Sequence, residues 1–286
     1  MTVDPQKFKA AQRQGWDSVA DGWKKWWKNI EEGGQVVSDR LVELAEVRQG
    51  SRVLDVATGI GEPAVTAARK VGPSGKVTAI DISPAMLAIA RERAKQSGLS
   101  DVIEFQEADA ESLGLPASSF DAIICRFGLM FMPDLVSALK TMRSLLVLNG
   151  RIAAAVWSSM DRAPSFAIPF EIVTRETETA PPPPGSPGPF SLADTSLLRK
   201  KFEQAGFNDI KIESNKMDLN LPSPEEYVDF VRSTAAPLRA MMAALPAARQ
   251  EEIWNKVVDT ARKHAADSST GAVRLTNEVI CVSARS

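Results

Sequence analysis

Between Arg52 and Trp157, short apolar runs alternate with stretches whose apolar residues recur every three or four positions. The runs Arg52–Val56, Lys76–Asp81, Val102–Gln106, Phe120–Cys125 and Arg151–Trp157 have the length and β-branched content of buried strands. Pro63–Val71, Pro84–Gln96 and Asp134–Leu148 have helical spacing, whereas Glu107–Ser119 is mostly turn residues. Strand and helix in alternation build βαβ units, so the expected fold class is α/β, with a mostly parallel sheet covered on both faces. Pro73-Ser74-Gly75, Ser97-Gly98 and Asn149-Gly150 mark turns between the segments.

The flanks read differently. Trp16, Val19, Ala20, Trp23, Trp26, Trp27 and Ile30 fall at helical spacing with lysines between them, and a second helix is expected over Gln35–Val47. Downstream, Ser165–Thr179 is helical, and Pro181–Pro189 is a breaker run that suits a mobile loop. Ser191–Gly206 has a helical pattern with Gly206 as its stop. Asp209–Glu213 alternates like a strand, Pro222–Ala265 is helical with interruptions at Pro237 and Pro246, and Arg274–Ala284 closes the chain as a strand. The Trp and Lys residues of the first helix raise the idea of an interfacial membrane helix. Residues 1–32, however, carry six basic and five acidic side chains, so there is no polybasic attraction, and packing over the sheet is expected instead.

Composition narrows the chemistry. The chain has 286 residues with 34 basic and 36 acidic side chains, a balance that argues against a phosphate-backbone binder. One His, one Tyr and two Cys leave no supply for Cys/His zinc sites, and no metal is expected. A disulfide framework is likewise ruled out, which points to a reducing, cytoplasmic setting. The lone His264 lies in a charged stretch without a G-x-S-x-G partner, so it reads as a solvated side chain and not as a catalytic base. No apolar run approaches the roughly 18 residues of a membrane span, and the N-terminal stretch has no apolar signal core.

The most informative segment is Val53-Leu54-Asp55-Val56-Ala57-Thr58-Gly59-Ile60-Gly61-Glu62-Pro63-Ala64. Gly59, Gly61 and Ala64 satisfy the dinucleotide fingerprint, and Asp81 lies where an acid would reach ribose hydroxyls. A pyrophosphate wants free N–H groups and no nearby anion. Here Asp55 and Glu62 flank the turn, and Pro63 removes a donor. S-adenosylmethionine (SAM) reverses the preference, because its sulfonium and ammonium suit acidic surroundings. Asp109, after the third strand, is placed to accept from an adenine amino group.

On these residues the sequence resembles the class I SAM-dependent methyltransferases, and within them the UbiE/COQ5-like branch. VLDVATGIGEPA, VTAIDISPAMLAIAR, IEFQEADAESL, SFDAIICRFGLMFMPD and LLVLNGRIAAAVW carry the resemblance. It implies a Rossmann-like sheet of seven strands whose final strand is antiparallel, with N-terminal helices and a helical cover. It also implies that Asp55, Ala57, Gly59 and Gly61 surround the methionine part of SAM, with Asp81 on the ribose. Ile82 and Met86 would pack near the adenosine, Asp109 and Ala110 would contact adenine, and Cys125 would line the methyl-transfer end. Ala57 stands where a glycine is common in this loop. Trp23 and Arg126 are substrate candidates, Arg126 alternatively pairing with the SAM carboxylate or a neighbouring acid. No catalytic residue is assigned.

The domain organisation expected is N-terminal helices over the active site at 1–49 and a SAM-binding core at 50–157. A substrate cover follows at 158–272, including a lid loop at 180–190 and an additional strand. The final sheet strand lies at 273–286. Methyl transfer to a small apolar or aromatic molecule (quinone-like, phenol or amine) is the expected activity, with no nucleic-acid partner, no integral membrane association, and a homodimer as an assembly to consider. An NAD(P)-dependent oxidoreductase and a non-catalytic SAM-binding module are the alternatives that the residues leave open.

Overall fold

A computed structural model describes residues 4–180, 183, 185–264, 267 and 269–286. Among them, seven strands form one sheet in the order β3-β2-β1-β4-β5-β7-β6. The strands are β1 (Arg52–Val56), β2 (Lys76–Asp81), β3 (Ile103–Glu107), β4 (Phe120–Arg126), β5 (Leu146–Trp157), β6 (Asn208–Leu221) and β7 (Val273–Arg285). The first five pair in parallel, and β7 runs antiparallel between β5 and β6. This is the expected Rossmann-like architecture, with β7 inserted antiparallel near one edge. Because the strand order reverses on either side of β1, a crevice opens at the carboxyl ends of β1 and β4.

The central strands are apolar because both faces are covered. Val53, Leu54 and Val56 of β1 and Ile123 and Ile124 of β4 are fully buried. The helices α2 (Ala64–Val71), α3 (Pro84–Gln96) and α4 (Leu135–Leu145) follow β1, β2 and β4, and no helix forms between β3 and β4. Ser83 caps α3 by accepting from the Met86 N–H at 3.1 Å, with Pro84 at the first helical position.

Three expectations are corrected. The two N-terminal helices are one, α1 (Pro5–Leu44), which runs unbroken through Gly33-Gly34. Each glycine costs about 1 kcal/mol in a helix, but at Gly33 the backbone passes too close to β6 for a side chain, and at Gly34 the Arg126 guanidinium takes the space a side chain would use. A Cβ on Gly33 would lie 2.1 Å from the Asp218 carbonyl oxygen, and one on Gly34 would lie 2.9 Å from Arg126 Nη1. α1 thereby covers part of β6, the last strand of the sheet. Second, β5 begins at Leu146, so α4 ends three residues before the expected Leu148 and the strand continues through Asn149-Gly150. Third, β6 extends to Leu221, eight residues past the expected end, paired with β7 throughout its second half. Ser214, Lys216, Asp218 and Asn220 point to solvent there and hide the strand's apolar period.

The far half of the β6–β7 pair reaches past β5 and carries a second hydrophobic cluster. Leu219, Leu221, Val273 and Leu275 pack there with Tyr227, Val231, Ile253, Trp254 and Val257. The helices involved are α5 (Pro164–Thr177), α7 (Pro224–Thr234), α8 (Ala236–Met242) and α9 (Ala247–His264), while α6 (Thr195–Gln204) lies against β6 on the main core. Pro181, Pro182 and Pro184 of the breaker loop, and the side chain of His264, lie outside the described residues. Among the described residues no helix is long and apolar enough to cross a membrane.

Candidate functional site

The crevice is a cavity of about 290 Å³ between the carboxyl ends of the strands, α1 and the helical cover. Its floor is the loop after β1. Ala57, Gly59 and Gly61 have φ of 57°, 55° and 104°, a left-handed path that suits glycine and strains Ala57. A Cβ on Gly61 would come 3.3 Å from Ala90 of α3, so that glycine also lets the helix approach the loop. Asp81, at the end of β2, ties the floor together. Its Oδ2 accepts from the Gly59 N–H at 2.8 Å and its Oδ1 from the Ser83 N–H at 2.9 Å. Burial raises its pKa above the ordinary carboxylate value.

Most expected site residues meet at this cavity. Ala57, Gly59, Asp81, Ile82, Met86, Asp109, Ala110, Trp23 and Arg126 line it. Asp55, Gly61 and Cys125 are not on its wall. Asp55 is fully buried beneath the loop, and neither carboxylate oxygen has a hydrogen-bond partner. Burial pushes its pKa up to about 8. Cys125 was expected to line the methyl-transfer end, but it points into the core, where a Cβ on Gly128 would lie 2.8 Å from its sulfur. Burial pushes this thiol up to about 12, which removes it as a nucleophile.

Two further acids complete the polar part of the wall. Glu62 is 3% exposed; its Oε2 accepts from Thr66 Oγ1 at 2.8 Å and its Oε1 has no partner. Burial raises its pKa. Asp109 meets Lys9 of α1 at 2.7 Å, and Lys9 also pairs with Glu111. Burial alone would raise the Asp109 pKa, but the Lys9 ammonium and the Glu111 N–H hold it below the ordinary value. Lys9 lies a hundred positions from Asp109, and no local signal in the sequence pointed to it.

The remaining wall is aromatic and apolar. Phe127 stacks on Trp157 with centroids 4.2 Å apart and planes 7° apart. Trp157 meets Phe166 at 4.7 Å, and Phe166 meets Phe190 edge-on at 6.5 Å. Trp16 packs edge-on against Phe131 at 5.5 Å and Trp23 at 6.1 Å, and Trp23 Nε1 donates to the Thr234 carbonyl at 3.1 Å. Trp26 is buried against Phe230, and Arg93 covers Trp27 at 4.8 Å. All four indoles of α1 thus touch protein groups, and Trp16 and Trp23 do so from the cavity wall. Gly188 N–H and Ser191 Oγ bond to the Met130 carbonyl at 2.8 and 3.0 Å, which anchors the end of the Pro-Gly loop beside Pro189 and Phe190 on the wall. These aromatic partners come from six separate segments, and only their composition was visible in the sequence.

Comparison with known proteins agrees with this geometry. The family described as a methyltransferase domain matches residues 48–181. The ubiquinone/menaquinone biosynthesis C-methyltransferase UbiE of Ectopseudomonas oleovorans is 36% identical over 135 residues, 47% of this chain and 74% of that protein. The chain belongs to the class I SAM-dependent methyltransferase family, on its UbiE-like branch. The UbiE of Pseudomonas putida strain F1 is 36% identical over 136 residues, 48% of this chain and 49% of that protein, so the chain spans about half the length of this curated relative. The YcgJ protein of Bacillus subtilis shares the fold, with a TM-score of 0.56 at 21% identity over 87% of this chain and 97% of that one. The residues at the floor of this methyltransferase-family chain fit SAM. Asp55 and Glu62 are buried acids with partnerless oxygens beside a glycine turn; a cationic ligand would be stabilised by their ionisation, while neither offers the N–H donors that a pyrophosphate needs.

Proposed function

We propose that this protein transfers the methyl group of SAM to a small apolar or aromatic acceptor held in the cover half of the cavity. The orphaned acids Asp55 and Glu62 at the glycine turn are the observation that carries this reading. In it, Asp81 offers its remaining lone pairs to the ribose hydroxyls while its backbone bonds hold it in place. Ile82 and Met86 flank the adenosine, Asp109 and Ala110 meet the adenine, and Ala57 and Gly59 approach the methionine part. When bound, SAM supplies an electrophilic methyl on a sulfonium, so the protein's task is alignment and exclusion of water.

The aromatic row from Phe127 to Phe190, with Trp23 opposite, gives a planar acceptor large faces to stack on. The polar groups at its far end, Ser165 and Asn277, are already bonded to each other at 2.8 Å. The matched relatives are named for C-methylation in ubiquinone and menaquinone biosynthesis. A quinol-like ring is accordingly the first acceptor to test. Labelled-methyl transfer from SAM should be measured on quinols, phenols and amines. Transfer to the aromatic hydroxy compounds is expected, and transfer confined to small polar amines would refute the apolar-acceptor reading.

A further inference from the structure

We infer that Ser165 binds a hydrogen-bond donor, an O–H or N–H, on the methyl acceptor, and that Asn277 sets this polarity by keeping the serine hydrogen for itself. The inference rests on the acceptor reading above and adds to it the polar group that the apolar half of the cavity selects.

Among the described residues, the hydroxyls of the cover half are those of Ser165 on α5 and Thr234 on α7, and both have spent their hydrogens inside the protein. Thr234 Oγ1 donates to the Phe230 carbonyl of its own helix at 2.7 Å. At Ser165 the direction is imposed from another element. Asn277 Oδ1, on β7, accepts from the Ser165 N–H at 3.0 Å and from the Ser165 hydroxyl at 2.8 Å. The amide cannot turn round, because its Nδ2 donates to the Met217 and Leu275 carbonyls at 3.3 and 3.4 Å. A flip would set N–H against N–H and oxygen against oxygen. Asn277 is 1% exposed, so water offers no substitute for these bonds.

The backbone of Ser165 is held as well. Pro169 stands inside α5 without an N–H, which frees the Ser165 carbonyl of its helical partner. Tyr227, the chain's one tyrosine, is fully buried and donates to that carbonyl at 2.8 Å. Ser165 is thus pinned to β7 through its side chain and to α7 through its carbonyl. What its hydroxyl keeps for a ligand is its lone pairs, among the aromatic and alkyl groups of the cover. An O–H or N–H of the acceptor completes them. An ether or carbonyl oxygen in the same place sets lone pairs against lone pairs and leaves a buried group unpaired, which a dry pocket penalises strongly.

The test uses two probes with one ring system, 2-naphthol and 2-methoxynaphthalene, titrated into protein saturated with S-adenosylhomocysteine. Wild type should bind the naphthol about tenfold tighter than the ether. Ser165→Ala should bring the two within about twofold, chiefly by weakening the naphthol. Naphthalene, smaller than either, should bind wild type and Ser165→Ala alike, which separates a lost hydrogen bond from relieved crowding. Asn277→Ala frees the serine hydrogen to donate, so the ether should gain on the naphthol there and narrow the ratio to about threefold or less. Equal binding of both probes by wild type would overturn the assignment alone, and needs no variant to fold. A Ser165→Ala protein that keeps the tenfold ratio would also overturn it, because a merely structural role leaves the ratio unchanged. Protein that takes up S-adenosylhomocysteine but none of the probes would overturn the aromatic-acceptor reading and the assignment together. Protein that takes up no S-adenosylhomocysteine would overturn the SAM reading, and the assignment with it.

Discussion

Gly22 and Gly15 lie two turns apart on α1, yet alanine should have opposite effects at the two positions. A Cβ on Gly22 would lie 1.9 Å from the Ser233 carbonyl oxygen and 2.5 Å from its carbon. Real Cβ contacts essentially never fall under 3.0 Å, so α1 and α7 would have to separate by at least about 1.1 Å. The obstacle is backbone and cannot rotate away. Overpacking of this kind costs about 1–3 kcal/mol, and the upper end applies here, against a helix-propensity gain of about 1 kcal/mol. The expected net loss is about 2 kcal/mol, or roughly 4 °C in Tm for a chain of this size. On Gly15 the nearest atom to an added Cβ is Ala236 Cβ at 3.6 Å, an ordinary contact. There the propensity gain stands alone, about 1 kcal/mol and roughly 2 °C upward. Thermal and urea unfolding of the two variants checks the pair. Because Trp23 bonds to the Thr234 carbonyl beside the same crossing, Gly22→Ala should also raise the acceptor KM. A Gly22→Ala protein as stable as wild type, or shifts of the same sign in both variants, would refute the packing argument.

Other consequences follow from the site. Trp157→Ala removes the ring that bridges Phe127 and Phe166, so the acceptor KM should rise about tenfold or more while SAM affinity changes less than about twofold. Equal losses in both constants would show that the wall is shared. Cys125→Ala should retain kcat within about twofold, because the thiol is off the cavity wall; a large loss in kcat at unchanged Tm would place it in the chemistry. Asp55 holds its proton up to about pH 8 in the folded chain, whereas the unfolded chain loses it near 3.8. The unfolded state therefore binds fewer protons between these values, and stability falls as pH rises through that window. Asp55→Asn should flatten this fall in Tm–pH profiles, only partly because Glu62 shifts in the same direction; parallel profiles would contradict the buried-acid assignment.

What the sequence revealed follows the range of the interactions involved. β1, β2 and α3 matched their expected bounds, because two-sided burial makes the strands continuously apolar and Ser83-Pro84 writes a helix start in adjacent residues. The floor was readable for the same reason, since glycine turn, flanking acids and Asp81 occupy one βαβ unit. α1 and β6 were misjudged because their causes are tertiary. Gly33-Gly34 looks like a break until the Asp218 carbonyl fills the space, and the polar residues of β6 mask a strand that β7 holds. The Lys9–Asp109 pair, the Arg126–Ser38 bond and the aromatic row join residues dozens to a hundred positions apart. Cys125 shows the converse: the alternation along β4 cannot tell a residue on the wall from one beneath it.

The central claim, that this cavity binds SAM through the acids of its floor, is tested most directly by calorimetric titration of wild-type and Asp81→Ala protein with SAM and with NADH. The expected result is one SAM per chain, no heat from NADH, and SAM affinity lowered tenfold or more in the variant, about 1.4 kcal/mol. SAM affinity unchanged by Asp81→Ala, or NADH bound in preference to SAM, would contradict it.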